Sequence, residues 1–218
     1  MRSPVPEAVL AVAATLAITP ASAESVEFSL PGGVATSAIG QAFVPAEALP
    51  DLPGDATLAS VAFVAGGPGG ASGFDRTKLA IFPAAYPRFT NSLRRDATLA
   101  VSTNFVDTAN AAPGSTLRFN FKNLQLPPAE AVAAVLVTID EFGRLQPTPA
   151  SVRFVRFEGF GDAAAPVANP GGVGNFDFAA LYPDDDGDGY PQGAVDGADL
   201  SFTLTFDLPD AAAPAEPE

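Results

Sequence analysis

Apolar and polar residues alternate along several stretches of this chain, and this period-two pattern constrains the fold more than any other feature. The clearest stretch is Leu200–Phe206, in which every second residue is Leu or Phe and the residues between them are Ser or Thr. Ser25–Leu30 and Thr116–Lys122 follow the same pattern. Successive side chains of a strand point to opposite faces of its sheet, so the pattern predicts strands that are buried on one side.

Shorter apolar runs between Pro- and Gly-rich turns predict the remaining strands. These are Gln41–Val44, Leu58–Ala65, Lys78–Phe82, Thr98–Phe105, Val132–Ile139 and Val152–Phe157. The sequence therefore predicts an all-β fold, a β-sandwich or jelly roll of about ten antiparallel strands. We expect the Phe residues, which alternate along these strands, to form its core.

The two ends of the chain differ in composition from the part between them. Residues 1–23 start with Met1-Arg2, continue with an apolar run over Ala8–Ile18, and end in the small residues Ala21-Ser22-Ala23, as a secretory signal peptide does. Residues 24–209 are predicted to be one β-sandwich domain, and residues 210–218 a disordered acidic Ala/Pro tail. We expect a secreted, extracellular protein with no membrane span in the mature chain and no visible anchor, and association with the cell surface stays open.

Charge and residue types exclude several classes of function. The formal net charge is −14, and removing residues 1–23 takes away one base and one acid, so it does not change. Such a chain is unsuited to nucleic acid, which needs clustered Lys and Arg. Cys and His are both absent, which excludes thiolate and imidazole nucleophiles, bases and metal ligands. The densest group of bases in the sequence is Arg88, Arg94 and Arg95.

The order of several apolar strands resembles a group of secreted bacterial sandwich domains. Ile39-Gly40-Gln41-Ala42-Phe43 is followed by Leu58–Phe63, Lys78–Phe82, Leu117–Phe121 and a strand that ends in Val135-Leu136-Val137. From about residue 40 to residue 138 this order is similar to the domains called choice-of-anchor. The resemblance implies a sandwich fold and an extracellular location rather than an activity.

An acidic stretch, residues 184–190, predicts a calcium loop. It reads Asp-Asp-Asp-Gly-Asp-Gly-Tyr, and residues 184–189 resemble the loops of EF-hands, dockerins and thrombospondin type 3 repeats. Asp184, Asp186 and Asp188 match the first three ligand positions, and Tyr190 would give its backbone carbonyl. The twelfth position is Val195, so we expect Asp196 or Asp199 to complete the shell around a structural Ca²⁺. A solvated acidic turn is the alternative.

These features favour a non-catalytic protein with a structural, adhesive or extracellular-matrix role. Its partner would be an extracellular glycan or matrix component, and an edge strand could mediate self-association. A carbohydrate-binding module is the alternative, with Tyr86, Tyr182 and Tyr190 available to stack on sugar rings. A third hypothesis is a glycoside hydrolase that uses two carboxylates. Its candidate acids are Asp140, Glu141, Glu158 and Asp162.

The calcium hypothesis predicts a melting temperature that depends on Ca²⁺. We expect millimolar Ca²⁺ to raise the melting temperature of the mature chain relative to EGTA, because a ligand that binds only the folded state stabilises it. Asp186→Ala should lose this rise, whereas Asp210→Ala, which removes an acid of the tail, should keep it. If the melting curves with Ca²⁺ and with EGTA are the same, the calcium hypothesis is wrong and the solvated acidic turn is favoured.

Overall fold

The computed structural model describes residues 24–67, 74–83, 97–156, 179–181 and 198–209, and nearly all regular structure in these ranges is antiparallel strand. The strands are β1 (Ser25–Leu30), β2 (Val34–Ala38), β3 (Gly40–Phe43), β4 (Thr57–Val64), β5 (Lys78–Pro83), β6 (Ala100–Val101), β7 (Thr116–Gln125), β8 (Val132–Ile139), β9 (Leu145–Pro147), β10 (Ala150–Arg156), β11 (Ala179–Leu181), β12 (Ala198–Leu200) and β13 (Phe202–Asp207). A single turn of helix, α1, covers Pro45–Ala48. The predicted all-β, sandwich-like fold is confirmed. The predicted signal segment 1–23 and tail 210–218 lie outside the described residues.

The described strands form three antiparallel sheets. One has the order β1-β13-β4-β7, a second β12-β10-β2, and a third β11-β3-β8-β5-β6 with β9 also paired to β8. The main hydrophobic core draws buried side chains from all three. Phe43 of the third sheet and Phe202 of the first meet in this core, with their ring centroids 6.4 Å apart.

The third sheet is buried on both faces along β5 and β8. Leu79, Ile81 and Leu136 belong to the main core, whereas the alternate residues of these strands belong to a second buried cluster. That cluster contains Ile39, Ala42, Ala80, Phe82, Ala133, Val135, Val137 and Leu145. Burial on both sides explains why β5 and β8 are continuous apolar runs rather than alternating ones.

One of the predicted strands is interrupted and another is shorter than its pattern suggests. The stretch Leu200–Phe206 breaks at Ser201, where the chain passes from the second sheet to the first. Ser201 is buried, its hydroxyl donates to the Leu30 carbonyl, and its amide donates to the Arg153 carbonyl. The predicted strand Thr98–Phe105 is reduced to β6, because the chain turns away from β5 after Ser102 and bonds to β7 instead.

Gly40 and Gln41 hold β3 close to its neighbours. A Cβ atom at Gly40 would overlap the backbone carbonyl oxygen of Ala134 on β8, so only glycine fits there. The Gln41 side chain is fully buried, and its Oε1 atom accepts a hydrogen bond of 2.8 Å from the Leu200 amide of β12. This bond ties the third sheet to the second.

A chain of hydrogen bonds crosses the outer face of the first sheet. Arg118 of β7 donates to Ser60 of β4 at 3.1 Å. Ser60 donates to Thr205 of β13 at 3.1 Å, and Thr205 donates to the Glu27 carboxylate of β1 at 3.2 Å. Every strand of the sheet is thereby linked through side chains as well as through the backbone, and the buried hydroxyls of Ser60 and Thr205 are satisfied.

The close approach at Gly40 predicts that Gly40→Ala destabilises the fold. The added methyl group must push β3 away from β8, and we expect the free energy of unfolding to fall by about 3 kcal/mol. Denaturant unfolding measures this change. Gly54→Ala is the matched control, because nothing lies within 4 Å of a Cβ at that position. Equal stability of the two variants would contradict the close contact between the strands.

Candidate functional site

The predicted calcium ligands fall almost entirely outside the described residues. This holds for Asp184, Asp186, Asp188, Tyr190 and Asp196. Asp199 lies in β12, where its backbone pairs with Val155, and only its backbone is described. The calcium site therefore stays a prediction. Within the part of the chain that the structure covers, no group of three or more acidic side chains is placed to hold a metal ion.

The strands on either side of the acidic stretch lie close together. β11 precedes the stretch and pairs with β3, and β12 follows it and is held by the Gln41 side chain of β3. β11 and β12 also contact each other. Leu181 and Ala198, the described residues before and after the segment 182–197, thus lie in strands that contact each other.

Of the four acids considered for catalysis, the structure describes Asp140 and Glu141, in the turn between β8 and β9. Asp140 Oδ1 accepts hydrogen bonds from the amides of Arg144 at 2.8 Å and Phe142 at 2.9 Å. The bond from the Arg144 amide and a weaker one from the Gln146 side chain lower the pKa of Asp140. A general acid needs a raised pKa, so this carboxylate is suited to closing the turn. Glu158, Asp162, the three tyrosines and Arg88, Arg94 and Arg95 lie outside the described residues.

A cluster of exposed aromatic, aliphatic and basic side chains lies at one end of the third sheet. Phe74 is 47% exposed, Phe105 43% and Ile139 38%. The guanidinium carbon of Arg76 lies 4.0 Å from the centroid of the Phe105 ring, and Lys78 Nζ lies 4.3 Å from it. We call these five residues the aromatic–cationic surface.

The expectation that the Phe residues form the core is wrong at three positions of the described chain. Phe74, Phe105 and Phe142 are exposed, Phe142 by 73%. None of the three lies within a strand. Phe74 and Phe105 flank the strands β5 and β6, where the alternation that buries Phe82 or Phe119 no longer applies. Sequence reasoning therefore missed this surface, although the spacing of Phe74, Arg76 and Lys78 at alternate positions was a signal for it.

Strand pairing brings the five residues together from three parts of the chain. Lys78 begins β5 and lies opposite Val137 of β8, and Ile139 follows two residues later on β8. Thr77 forms a bridge with Val106, each amide donating to the other residue's carbonyl, which places Phe105 beside Arg76 and Lys78. The surface is thus built on backbone pairing rather than on a free loop.

Two buried threonines fix Phe74. Its amide donates to Thr108 Oγ1 at 3.0 Å, and its carbonyl accepts from the Thr108 amide at 2.9 Å. The hydroxyls of Thr77 and Thr108 are bonded to each other at 2.8 Å, and both residues are almost fully buried. The backbone that carries the Phe74 ring is therefore held in place before any ligand binds.

The segment that carries Phe105 is anchored to two sheets. The Leu79 amide of β5 donates to Ser102 Oγ, and the Ser102 amide donates to the Leu79 carbonyl. On the other side, Asn104 Oδ1 accepts from the Asn120 amide of β7 and Asn104 Nδ2 donates to the Arg118 carbonyl, both at 2.8 Å. These two bonds also cover part of the β7 edge, which would otherwise be open to pairing with another chain.

Electrostatics distinguish this surface within a protein of net charge −14. Lys78 Nζ donates to the Ser102 carbonyl at 2.6 Å, which holds the ammonium beside the Phe105 ring. Burial, followed by the neighbouring positive charge of Arg76, lowers the pKa of Lys78. An anion placed between the two cations would relieve their repulsion.

The surface borders a cavity of about 440 Å³. Its walls are Phe74, Asp75, Arg76, Phe105, Thr138 and Ile139. The cavity is shallow and about half open to solvent. The surface and its cavity thus offer exposed rings, positive charge and hydrogen-bonding residues to a ligand.

Comparisons of the chain with protein-family models, with curated proteins and with solved structures found no significant match. The resemblance to choice-of-anchor domains therefore stays a prediction. In the described ranges, no helix is long and apolar enough to cross a membrane.

Proposed function

We propose that this chain is a secreted, non-catalytic β-sandwich protein with a structural or adhesive role in an extracellular matrix, and that it contacts its partner through the aromatic–cationic surface. The observation that carries the proposal is the rigid exposure of Phe74 and Phe105 beside two cations. Rings of this size are usually buried, and exposing them costs solvation free energy that binding recovers.

The rigidity of the surface favours a binding role for the exposed rings over exposure without a function. Hydrogen bonds between Phe74 and Thr108 and between Thr77 and Val106 hold the backbone at or beside the two rings, and Lys78 is held by its bond to Ser102. A preorganised surface loses little conformational entropy when a ligand binds, so even a shallow cavity gives measurable affinity.

Bound calcium is the second part of the proposal. β11 and β12 lie together beside β3 and hold the two ends of the acidic segment, which favours convergence of its carboxylates. A Ca²⁺ ion would neutralise their mutual repulsion and stabilise that side of the sandwich. Its role would be structural.

A carbohydrate-binding module is the second candidate function. The cavity beside Phe74 and Phe105 supports it, because sugar rings pack their C–H faces against aromatic side chains while their hydroxyls bond to polar walls. In both candidate functions the aromatic–cationic surface binds the partner, and in the carbohydrate-binding module that partner is a glycan. A hydrolase gains no support from Asp140, whose pKa is lowered.

The proposal predicts that Phe105→Ala weakens adhesion. Binding of the protein to immobilised polymers is measured with a neutral polysaccharide, an acidic polysaccharide and a fibrous matrix protein. For whichever polymer the wild type binds, we expect Phe105→Ala to bind about tenfold more weakly, as loss of a central aromatic contact does.

Phe142→Ala is the matched control for this experiment. It removes a ring that is more exposed than Phe105 but does not line the cavity. It should bind like the wild type if the surface acts as a site. Equal losses in the two variants would indicate nonspecific hydrophobic adsorption, and unchanged binding by Phe105→Ala would contradict the proposed surface.

A further inference from the structure

The side chains around the cavity offer three different chemistries within one site. Phe74, Phe105 and Ile139 give apolar contact area, Arg76 and Lys78 give positive charge, and Asp75 and Thr138 give polar atoms. A ligand that satisfies all three must carry apolar faces, a negative charge and hydroxyl groups on the same small unit. Resting on the proposed function, we infer that the partner is an acidic polysaccharide with one carboxylate on each sugar ring.

The two cations select a carboxylate. The guanidinium carbon of Arg76 lies 4.0 Å from the centroid of the Phe105 ring, and the Arg76 side chain is exposed. A guanidinium in this position can still donate two parallel hydrogen bonds to one carboxylate. Lys78 lies over the same ring and adds a second charge, so a carboxylate near Phe105 would be attracted by both.

The Thr138 hydroxyl uses its hydrogen within the protein, so toward a ligand it can act only as a hydrogen-bond acceptor. The Thr148 hydroxyl gives its single hydrogen to the Gln146 carbonyl at 3.0 Å. In the 3.1 Å bond between Thr138 and Thr148, Thr138 must then be the donor. Thr138 and Asp75 both line the cavity, and the side-chain oxygens of both residues can accept hydrogen bonds. Sugar hydroxyls supply the matching donors.

The charge of the whole protein limits how acidic the ligand can be. Asp75 lines the cavity itself, and the chain as a whole carries a net charge of −14. A polymer with several negative groups on each ring, such as a densely sulfated one, would be repelled by this field. One carboxylate for each ring, surrounded by neutral hydroxyls, fits two local cations in an acidic protein.

The test compares oligogalacturonate with its methyl ester, which keeps the sugar chain and removes the charge. We expect the wild type to bind oligogalacturonate about tenfold more tightly than the ester, with an affinity that falls as salt is raised. A sulfated oligosaccharide of equal length should bind more weakly than oligogalacturonate. Isothermal titration calorimetry gives all three affinities.

Arg76→Gln and Lys122→Gln each remove one positive charge and are the matched variants. Lys122 is exposed on β7 and does not line the cavity. Arg76→Gln should lose about tenfold in affinity for oligogalacturonate, and Lys122→Gln should bind within about twofold of the wild type, as a charge outside the site does. Melting curves of both variants establish that each is folded.

The experimental results that would contradict this inference differ from those that would contradict the proposed function. Equal binding of the ester, tighter binding of the sulfated oligosaccharide, or equal losses in the two charge variants would each overturn the carboxylate inference. If the protein binds none of the three sugars, but binds a matrix protein in a way that Phe105→Ala abolishes, the inference is wrong and the adhesive surface stands. If Phe105→Ala changes no binding at all, both are wrong.

Discussion

The antiparallel pairing of β5 with β8 is the constraint on which the candidate surface depends. Both strands are buried on their two faces, and Lys78 lies opposite Val137 at the point where the second buried cluster reaches solvent. A shift by one residue would turn Lys78 toward the main core, and burying an unpaired cation is strongly unfavourable. Burial of the strands therefore fixes the register, and the register holds the cations beside Phe105.

Much of the fold could be predicted because the alternation in the sequence is a direct consequence of one-sided burial. The patterns at Ser25–Leu30 and Thr116–Lys122 became β1 and β7, and the apolar run at Val132–Ile139 became β8. The patterns did not predict where a strand is interrupted. Ser201 continues an alternating pattern, yet the strand changes sheets there, because its hydroxyl and amide bond to Leu30 and Arg153 in different sheets.

The candidate site was much harder to predict. Its side chains come from Phe74–Lys78, Phe105 and Ile139, which are far apart in sequence and meet only through the pairing of β5 with β8 and the bridge of Thr77 with Val106. An isolated Phe in a β-protein usually belongs to the core, and the sequence around Phe105 gave no sign that its side chain is exposed. The acidic stretch, by contrast, was readable because its predicted ligands lie close together in the chain, but residues 184–190 lie outside the described part.

We propose that a sugar acid binds at the end of the third sheet, on a surface that is already formed without it. The most direct test is an NMR titration of the protein with tetragalacturonate, which reports on each backbone amide. If the sugar binds there, we expect shift changes at Phe74–Lys78, Phe105 and Thr138–Ile139, with little change at Ser60 and Thr205 on the outer face of the first sheet. Changes centred on that outer face, or no change at any concentration, would contradict it.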